Sequence, residues 1–296
     1  MCAMIEGSIA DKFSSGKTVF SVEFYPPKTE EGARQILRTA KKLKDTASPD
    51  YVSITYGAGG STRELTVDYG ELLSDIFGFE VMPHLACLGN SRADIEAILE
   101  RFKRSGFRSV MALRGDPPKN AVGFSPAPDG FSHANELVEF VRQKFPDASI
   151  GCAGYPEKHP EAESLEADIA NLKRKVDAGA DFVVTQMFFD NSHYFNFVRK
   201  CREAGIEKPI VAAVLPALSY KQVMNFKSMC SSEIPEKLAE ELLSAGDDAE
   251  LAAQIGIRWA RAQIDELLSA GVPGIHLYIL NRAQSALALY GAIRGS

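Results

Sequence analysis

A glutamate stands near the end of an apolar run early in the chain, in the segment VEFYPP at 22–27. If this run is a strand, side-chain alternation places Ser21 and Glu23 on one face and Val22 and Phe24 on the other. A carboxylate that is partly withdrawn from water is suited to donating a proton near neutral pH. Glu23 is therefore a candidate general acid. The alternative is a buried glutamate that pairs with Lys or Arg for structural reasons.

A second candidate is a polar stripe on a predicted helix. Its members fall at i, i+3 and i+7 with one neighbour beside them, and are Asp168, Asn171, Lys175 and Arg174. An Asp can bind ribose hydroxyls, and Arg and Lys can bind phosphate oxygens, so the stripe fits an extended ligand with diol and diphosphate groups. Tyr155 and His159 would flank the same ligand from the preceding loop. A solvated, salt-bridged helix face is the alternative.

Two further motifs carry weaker signals. The Gly-rich turn SITYGAGGST at 53–62 lacks the Lys of a P-loop and the spacing of a Rossmann fingerprint. Its backbone amides could bind a phosphate or lie against a planar ring. The alternative is an ordinary tight turn without a ligand. His84 and Cys87 have the spacing of a metal pair, but no further Cys or His lies nearby in the sequence. We therefore expect no metal, and His84 to act through hydrogen bonds.

The scaffold that positions these residues follows from eight apolar runs rich in Val, Ile, Phe and Tyr. The predicted strands are 18–25, 51–55, 79–85, 109–116, 149–155, 182–189, 209–216 and 275–282. Helix-like segments separate them, and this alternation predicts an α/β fold, a (β/α)8 TIM barrel of eight parallel strands. Excess helical pattern at 230–270 predicts extra helices before strand 8. In such a barrel the active site lies at the carboxyl ends of the strands, where most of the candidate residues fall.

Length and composition agree with one barrel domain over residues 1–296. A (β/α)8 domain needs about 250 residues, and the net charge of −6 provides no broad basic surface for nucleic acid. No apolar stretch approaches the roughly 18 residues of a membrane span, and the polar N-terminus lacks a secretory signal, so we expect a cytoplasmic protein. Five dispersed cysteines argue against disulfides or structural zinc. Small molecules are the expected partners.

Seven motifs in the same order closely resemble methylenetetrahydrofolate reductases of the bacterial, FAD-containing type. They are VEFYPPKT (22–29), SITYGAG (53–59), PHLAC (83–87), ALRGD (112–116), YPEKHPEA (155–162), NLKRKVDAGADFVVTQMFFD (171–190) and LNRA (280–283). The resemblance implies non-covalent FAD, a hydride taken from NADH or NADPH in a ping-pong cycle, and reduction of 5,10-methylenetetrahydrofolate to 5-methyltetrahydrofolate, which supplies methyl groups for methionine synthesis.

The resemblance also implies residue roles. Glu23 matches the general acid that opens the five-membered ring of the folate, and Asp116 matches an aspartate near the flavin that also binds the pterin. Substrate-binding positions are Asp116, Gln186, Gln222, Phe226 and Arg282. Positions that contact FAD or nicotinamide are Thr55, Tyr56, Ala58, His84, Arg114, Gly115, Asp116, Ala134, Tyr155, His159, Ala162, Asp168, Asn171, Arg174 and Lys175.

The resemblance leaves some properties open. Relatives form dimers or tetramers, so we expect a homo-oligomer, and the sequence does not choose between NADH and NADPH. Because the chain stops soon after the eighth strand and its helix, we expect no C-terminal regulatory domain of the eukaryotic kind. Two alternatives compete with this reading: a flavin-binding barrel that receives electrons from a partner protein, and a folate-binding methyltransferase barrel without flavin.

Overall fold

Eight parallel strands close into a barrel in chain order, β1 to β8, in the computed structural model, which describes residues 8–57, 63–116, 127–230 and 232–295. The strands are β1 (Val19–Phe24), β2 (Tyr51–Ile54), β3 (Val81–Ala86), β4 (Ser109–Leu113), β5 (Ser149–Gly154), β6 (Phe182–Thr185), β7 (Ile210–Val214) and β8 (Gly274–Tyr278). The closing pair is β1 with β8, in which Glu23 is opposite Tyr278. The predicted (β/α)8 barrel is confirmed.

Helices alternate with the strands. They are α1 (Ile9–Lys12), α2 (Glu30–Thr46), α3 (Arg63–Phe77), α4 (Arg92–Arg104), α5 (Ala134–Lys144), α6 (Leu165–Asp177), α7 (Asn191–Glu203), α8 (Tyr220–Cys230), α9 (Glu236–Ser244), α10 (Ala249–Ser269) and α11 (Ala283–Arg294). The two extra helices expected before the last strand are α9 and α10. Within the described part of the chain, no helix combines the length and apolar character that crossing a membrane requires.

The strands are apolar on both faces, because each face is covered. Val22 and Phe24 pack outward into the layer between barrel and helices. Tyr51, Met82 and Phe182 belong to a separate cluster inside the barrel. This double burial accounts for the continuous apolar runs from which the parallel barrel was predicted.

Helix α1 closes the amino-terminal end of the barrel. Ser8 begins it with a capping box, and Ile9 is fully buried. The Lys12 ammonium lies 3.2 Å from the Glu80 carboxylate, which is itself largely buried. With this end closed, the carboxyl ends of the strands are left as the open face.

Several strands end before their apolar runs do, and β6 is the clearest case. The run at 182–189 predicts one long strand, but the strand stops at Thr185. Phe188 and Phe189 beyond it are buried because α10 covers them, with Trp259 Nε1 donating a hydrogen bond of 3.0 Å to the Phe189 carbonyl. Apolar composition marks burial, so it does not show where the strand ends.

Close packing of α10 on the loop after β7 depends on a glycine. A Cβ added to Gly256 would lie 1.6 Å from the Ala217 carbonyl oxygen, so backbone would have to move. We expect Gly256→Ala to lower the free energy of unfolding by at least about 2 kcal/mol. In α11, Gly291 has open space around it, and Gly291→Ala should raise stability by up to about 1 kcal/mol. Urea unfolding of both variants measures the contrast, and equal effects would contradict the packing argument.

Candidate functional site

A cavity of about 910 Å³ opens at the carboxyl ends of the strands. Its wall is formed by strand ends, by the loops that follow them and by one face each of α5, α6 and α8. The residues predicted from the sequence that line it are Glu23, Thr55, Tyr56, His84, Arg114, Gly115, Asp116, Ala134, Tyr155, His159, Ala162, Asp168, Asn171, Arg174, Lys175, Gln186 and Phe226.

Three predicted residues are not among the residues of that wall. Gln222 lies in the first turn of α8, where its Oε1 accepts a hydrogen bond of 2.6 Å from the Leu218 amide. Arg282 is exposed and stands at the N-cap of α11. Ala58 lies outside the described residues. The folate-binding roles of Gln222 and Arg282 stay predictions.

Glu23 lies on the cavity floor between two histidines. Its Oε2 is 3.5 Å from His84 Nε2 and 3.8 Å from His276 Nε2, and its side chain is 19% exposed. The other ring nitrogen of His276 is 2.8 Å from the Ser21 hydroxyl. The carboxylate is thus nearly enclosed but still open to a ligand, which is the placement that a proton donor requires.

Burial controls the charge of His84. Loss of solvent lowers the pKa of this histidine, the nearby Glu23 carboxylate opposes the effect, and His276 lowers the pKa further. His84 is therefore held neutral at a pH where an exposed histidine is partly charged. A neutral imidazole beside Glu23 provides a hydrogen-bonding neighbour and adds no positive charge to the cavity floor.

This lowered pKa predicts a pH dependence of stability. As pH falls below about 6.5, the unfolded chain binds a proton at His84 that the folded chain resists, so folding stability is lost. We expect the free energy of unfolding to fall between pH 7.5 and 5.5 by about 1 kcal/mol more in the native chain than in His84→Gln. Urea unfolding at both pH values tests this. Parallel pH profiles of the two proteins would contradict it.

Residues at the end of β8 line the cavity although they were not predicted. His276 and Tyr278 both point inward, and the Tyr278 hydroxyl donates to the Thr185 carbonyl at 3.3 Å. Burial raises the pKa of Tyr278 well above its usual value, so the phenol stays protonated. Strand alternation in IHLYIL could have identified both, because residues two apart share a face.

The chain turns sharply at the cavity mouth after β4. Gly115 has φ +84°, and a Cβ there would lie 2.8 Å from that of Ala86, so only glycine fits. On one side of it, the Arg114 guanidinium makes two hydrogen bonds to Glu161, at 2.5 and 2.8 Å. On the other side, Asp116 is exposed at the rim. The turn therefore presents a cation and an anion next to each other.

The loop between β5 and α6 is held in place by the buried carboxylate of Asp168. Its Oδ2 accepts a hydrogen bond of 2.9 Å from the His159 amide. The His159 ring meets Tyr155 edge-on, with centroids 4.7 Å apart. Burial lowers the pKa of His159, and Arg114 lowers it further. The loop thus adds two neutral rings to the wall.

The polar stripe of α6 faces the cavity as the spacing predicts. Ser164 caps the helix, and Ile169 and Leu172 bury the opposite stripe in the core. The Lys175 ammonium donates to the Ala153 carbonyl at 2.5 Å. Arg174 donates to the Asn171 side chain and forms no ion pair with any residue in the described ranges.

This cation-bearing wall fits a diphosphate ligand such as the expected FAD. Arg174 and Lys175 both face the cavity, and neither is neutralised by a carboxylate within the described residues. Asp168 lies about two turns earlier on the same helix, with a buried carboxylate. Charge-assisted hydrogen bonds from paired cations are the usual means of holding phosphate oxygens.

A further wall is formed by Gln186 and Phe226. Gln186 follows β6. Its backbone N–H donates a hydrogen bond of 2.7 Å to the Gly154 carbonyl, and its side-chain oxygen accepts one of 2.9 Å from the Met187 backbone N–H. The side-chain NH2 group stays available to a ligand. Phe226 is half-buried on α8 and offers an aromatic face for stacking.

Among the described residues, His84 and Cys87 belong to no group of three metal-ligating side chains. The Cys87 thiol lies 3.5 Å from the Arg114 carbonyl, and burial raises its pKa to about 12. A thiol that stays protonated is a poor ligand, because metals bind the thiolate. His84 instead lines the cavity beside Glu23.

A closed (β/α)8 barrel whose strand ends surround a polar cavity with an acid on its floor is the architecture of a barrel enzyme. Comparison of the sequence with known protein families identifies which barrel enzymes it resembles. The model for methylenetetrahydrofolate reductase matches residues 8–294, and the chain belongs to this family.

Individual relatives agree with this assignment. Methylenetetrahydrofolate reductase (NADH) 1 of Arabidopsis thaliana is 37% identical over 295 residues, which cover 95% of this chain and 50% of that protein. The 5,10-methylenetetrahydrofolate reductase of Escherichia coli K12 is 36% identical over 274 residues, 93% of this chain and 90% of that protein. The chain thus spans about half the length of the plant relatives and most of the bacterial one.

A solved structure shares the fold. An uncharacterized protein from Clostridium thermocellum, which binds two copies of 5-methyl-5,6,7,8-tetrahydrofolic acid, superposes with a TM-score of 0.68 at 15% identity. The match covers 96% of this chain and 97% of that one. At this identity the likeness concerns the fold alone.

Proposed function

We propose that this chain reduces 5,10-methylenetetrahydrofolate to 5-methyltetrahydrofolate with FAD as cofactor and NADH as hydride donor, and so supplies methyl groups for methionine synthesis. The observation that carries the proposal is that Glu23 lines the same cavity as the cations Arg174 and Lys175. Family membership and the names of the relatives support the reaction. The printed name of the Arabidopsis relative supports NADH in preference to NADPH.

The α6 wall is the proposed binding site for FAD. Arg174 and Lys175 would hold the diphosphate, and Asp168 and Asn171 would bind ribose hydroxyls. Bound there, FAD supplies a two-electron carrier that accepts a hydride and passes it on. The edge-on pair of Tyr155 and His159 would contact one side of the FAD from the neighbouring loop.

Glu23 is the proposed general acid. Its carboxyl would donate a proton to a nitrogen of the folate's five-membered ring, the C–N bond would open, and the iminium that results could accept a hydride. Gln186 would orient the pterin through its side-chain amide. Asp116, at the rim, would place a negative charge near the cationic intermediate and stabilise it.

Phe226 is the proposed stacking residue for both substrates. Helix α8 places it over the cavity beside Met229, where its ring could lie on the aminobenzoate of the folate or on the nicotinamide. If both substrates use this position, they must bind in turn. Such a shared position would require a ping-pong cycle in which the nicotinamide leaves before the folate enters.

The experiment that tests the function uses the purified chain and its visible spectrum. Anaerobic NADH should bleach the flavin absorbance, and methylenetetrahydrofolate should then restore it. Bleaching without recovery would contradict the proposed acceptor, and flavin that NADH cannot bleach would contradict the proposed donor. A colourless protein that binds no added FAD would contradict the cofactor and favour a folate-binding methyltransferase. The homo-oligomer and the cytoplasmic location stay predictions.

A further inference from the structure

Three segments far apart in the sequence bring Glu157, His193 and Glu233 together outside the cavity. Glu157 lies in the loop after β5, His193 in the first turns of α7, and Glu233 in the connection from α8 to α9. One ligand-type atom of each residue lies within 4.8 Å of the other two. The group therefore combines an imidazole with two carboxylates, a donor set that binds transition metals.

The two oxygens of Glu157 are in different situations. Oε2 accepts a hydrogen bond of 2.5 Å from the Glu233 amide. Oε1 is fully buried and has no hydrogen-bond partner within the described ranges. Leaving a buried acceptor unpaired costs about 1–3 kcal/mol, so this oxygen lacks the partner that a cation would provide.

The charges around Glu157 also favour a cation. Burial raises the pKa of Glu157 most, and the Glu233 and Asp190 carboxylates raise it further, while the His193 side chain lowers it. The His193 ring is 3.4 Å from the Glu233 carboxylate. Glu157, Glu233 and Asp190 thus place three acidic groups near one imidazole.

We propose that Glu157, His193 and Glu233 form a binding site for a zinc-type divalent metal ion. Glu157 would bind through Oε1 while Oε2 keeps its hydrogen bond, and a fourth position would be left for water. Ligand atoms on a tetrahedral zinc are roughly 3.4 Å apart. The three donor atoms here lie within 4.8 Å of one another, so the side chains must close by up to about 1.4 Å. Glu233, whose side chain is 71% exposed, is free to move that far.

Zinc fits this donor set better than magnesium or calcium. Magnesium and calcium prefer sites made entirely of oxygen ligands, whereas an imidazole nitrogen suits zinc. Bound metal would join the β5 loop, α7 and the connection that follows α8. Because none of the three residues is part of the cavity wall, the proposal does not depend on the proposed catalytic function.

The test is calorimetric titration of the EDTA-treated full chain with zinc chloride. We expect the native chain to bind one zinc at this site, and Glu157→Gln and His193→Ala each to weaken that binding at least about tenfold. Gln at 157 can still accept the hydrogen bond from the Glu233 amide, so it removes a ligand and keeps the contact. Glu236→Gln, an exposed glutamate three residues beyond Glu233, is the matched control and should bind like the native chain.

A second measurement guards against misfolded variants. Zinc should raise the unfolding temperature of the native chain and of Glu236→Gln, with a much smaller rise in His193→Ala. Without zinc, every variant should unfold in a single cooperative transition, which shows that it is folded. Absence of zinc binding by the native chain, or equal binding by the ligand variants, would overturn the proposal.

Discussion

Glu23→Gln is expected to slow reduction of methylenetetrahydrofolate strongly, while FAD binding and reduction of the flavin by NADH stay intact. Glutamine matches glutamate in size, so the floor between His84 and His276 should keep its shape. The amide cannot donate the proton that opens the folate ring. Loss of a general acid lowers the rate by about 10²- to 10⁴-fold, so the folate half-reaction should slow by this factor.

Anaerobic stopped-flow measurement separates the two half-reactions. The first is bleaching of the flavin by NADH, and the second is its reoxidation by methylenetetrahydrofolate. Glu23→Asp is the matched variant, because it keeps an acid at a shifted position and should retain part of the folate rate. An equal loss in both half-reactions would show that Glu23 supports the cavity structure and is not the acid.

Flavin retention should fall by about 10²-fold or more when Asp168→Asn is combined with Lys175→Met, since each charge-assisted hydrogen bond contributes about 1.5–3 kcal/mol. Asn at 168 can still accept the hydrogen bond from the His159 amide, so the loop should stay in place. Met at 175 keeps the length of the side chain but removes the ammonium that faces the cavity.

The control for this double variant lies on the same helix. Lys173 and Asp177 form an ion pair away from the cavity wall, and replacing both with alanine removes the same types of charge. The flavin-to-protein ratio after gel filtration and the Kd for added FAD measure retention. Equal flavin content in the two double variants would contradict the assignment of the FAD to the α6 wall.

The agreement between predicted and observed elements has a physical basis. Strands covered on both faces must be apolar throughout. In helices covered on one face, apolar residues must recur about every 3.6 residues. Both patterns are local, so they are readable from neighbouring residues. For the same reason the helix spacing alone predicts that Asp168, Asn171 and Lys175 share one face, and all three line the cavity.

Contacts between distant segments could not be predicted in this way. No spacing rule brings His276 next to Ser21, which is 255 residues away, or Arg114 next to Glu161. The same holds for Glu157, His193 and Glu233. A motif match also could not predict that the Gln222 side chain accepts a hydrogen bond from the Leu218 amide.

The barrel and the order of its elements can be predicted from the sequence, because burial imposes local patterns on the chain. Which polar residues meet at the carboxyl ends of the strands, and which partners surround them, depends on contacts between distant segments. Closure of the barrel joins β1 to β8 and places Glu23 between two histidines from other strands. Closure of the barrel pairs its first and last strands, which are far apart in the sequence. The surroundings of Glu23 therefore depend on contacts that no local pattern encodes.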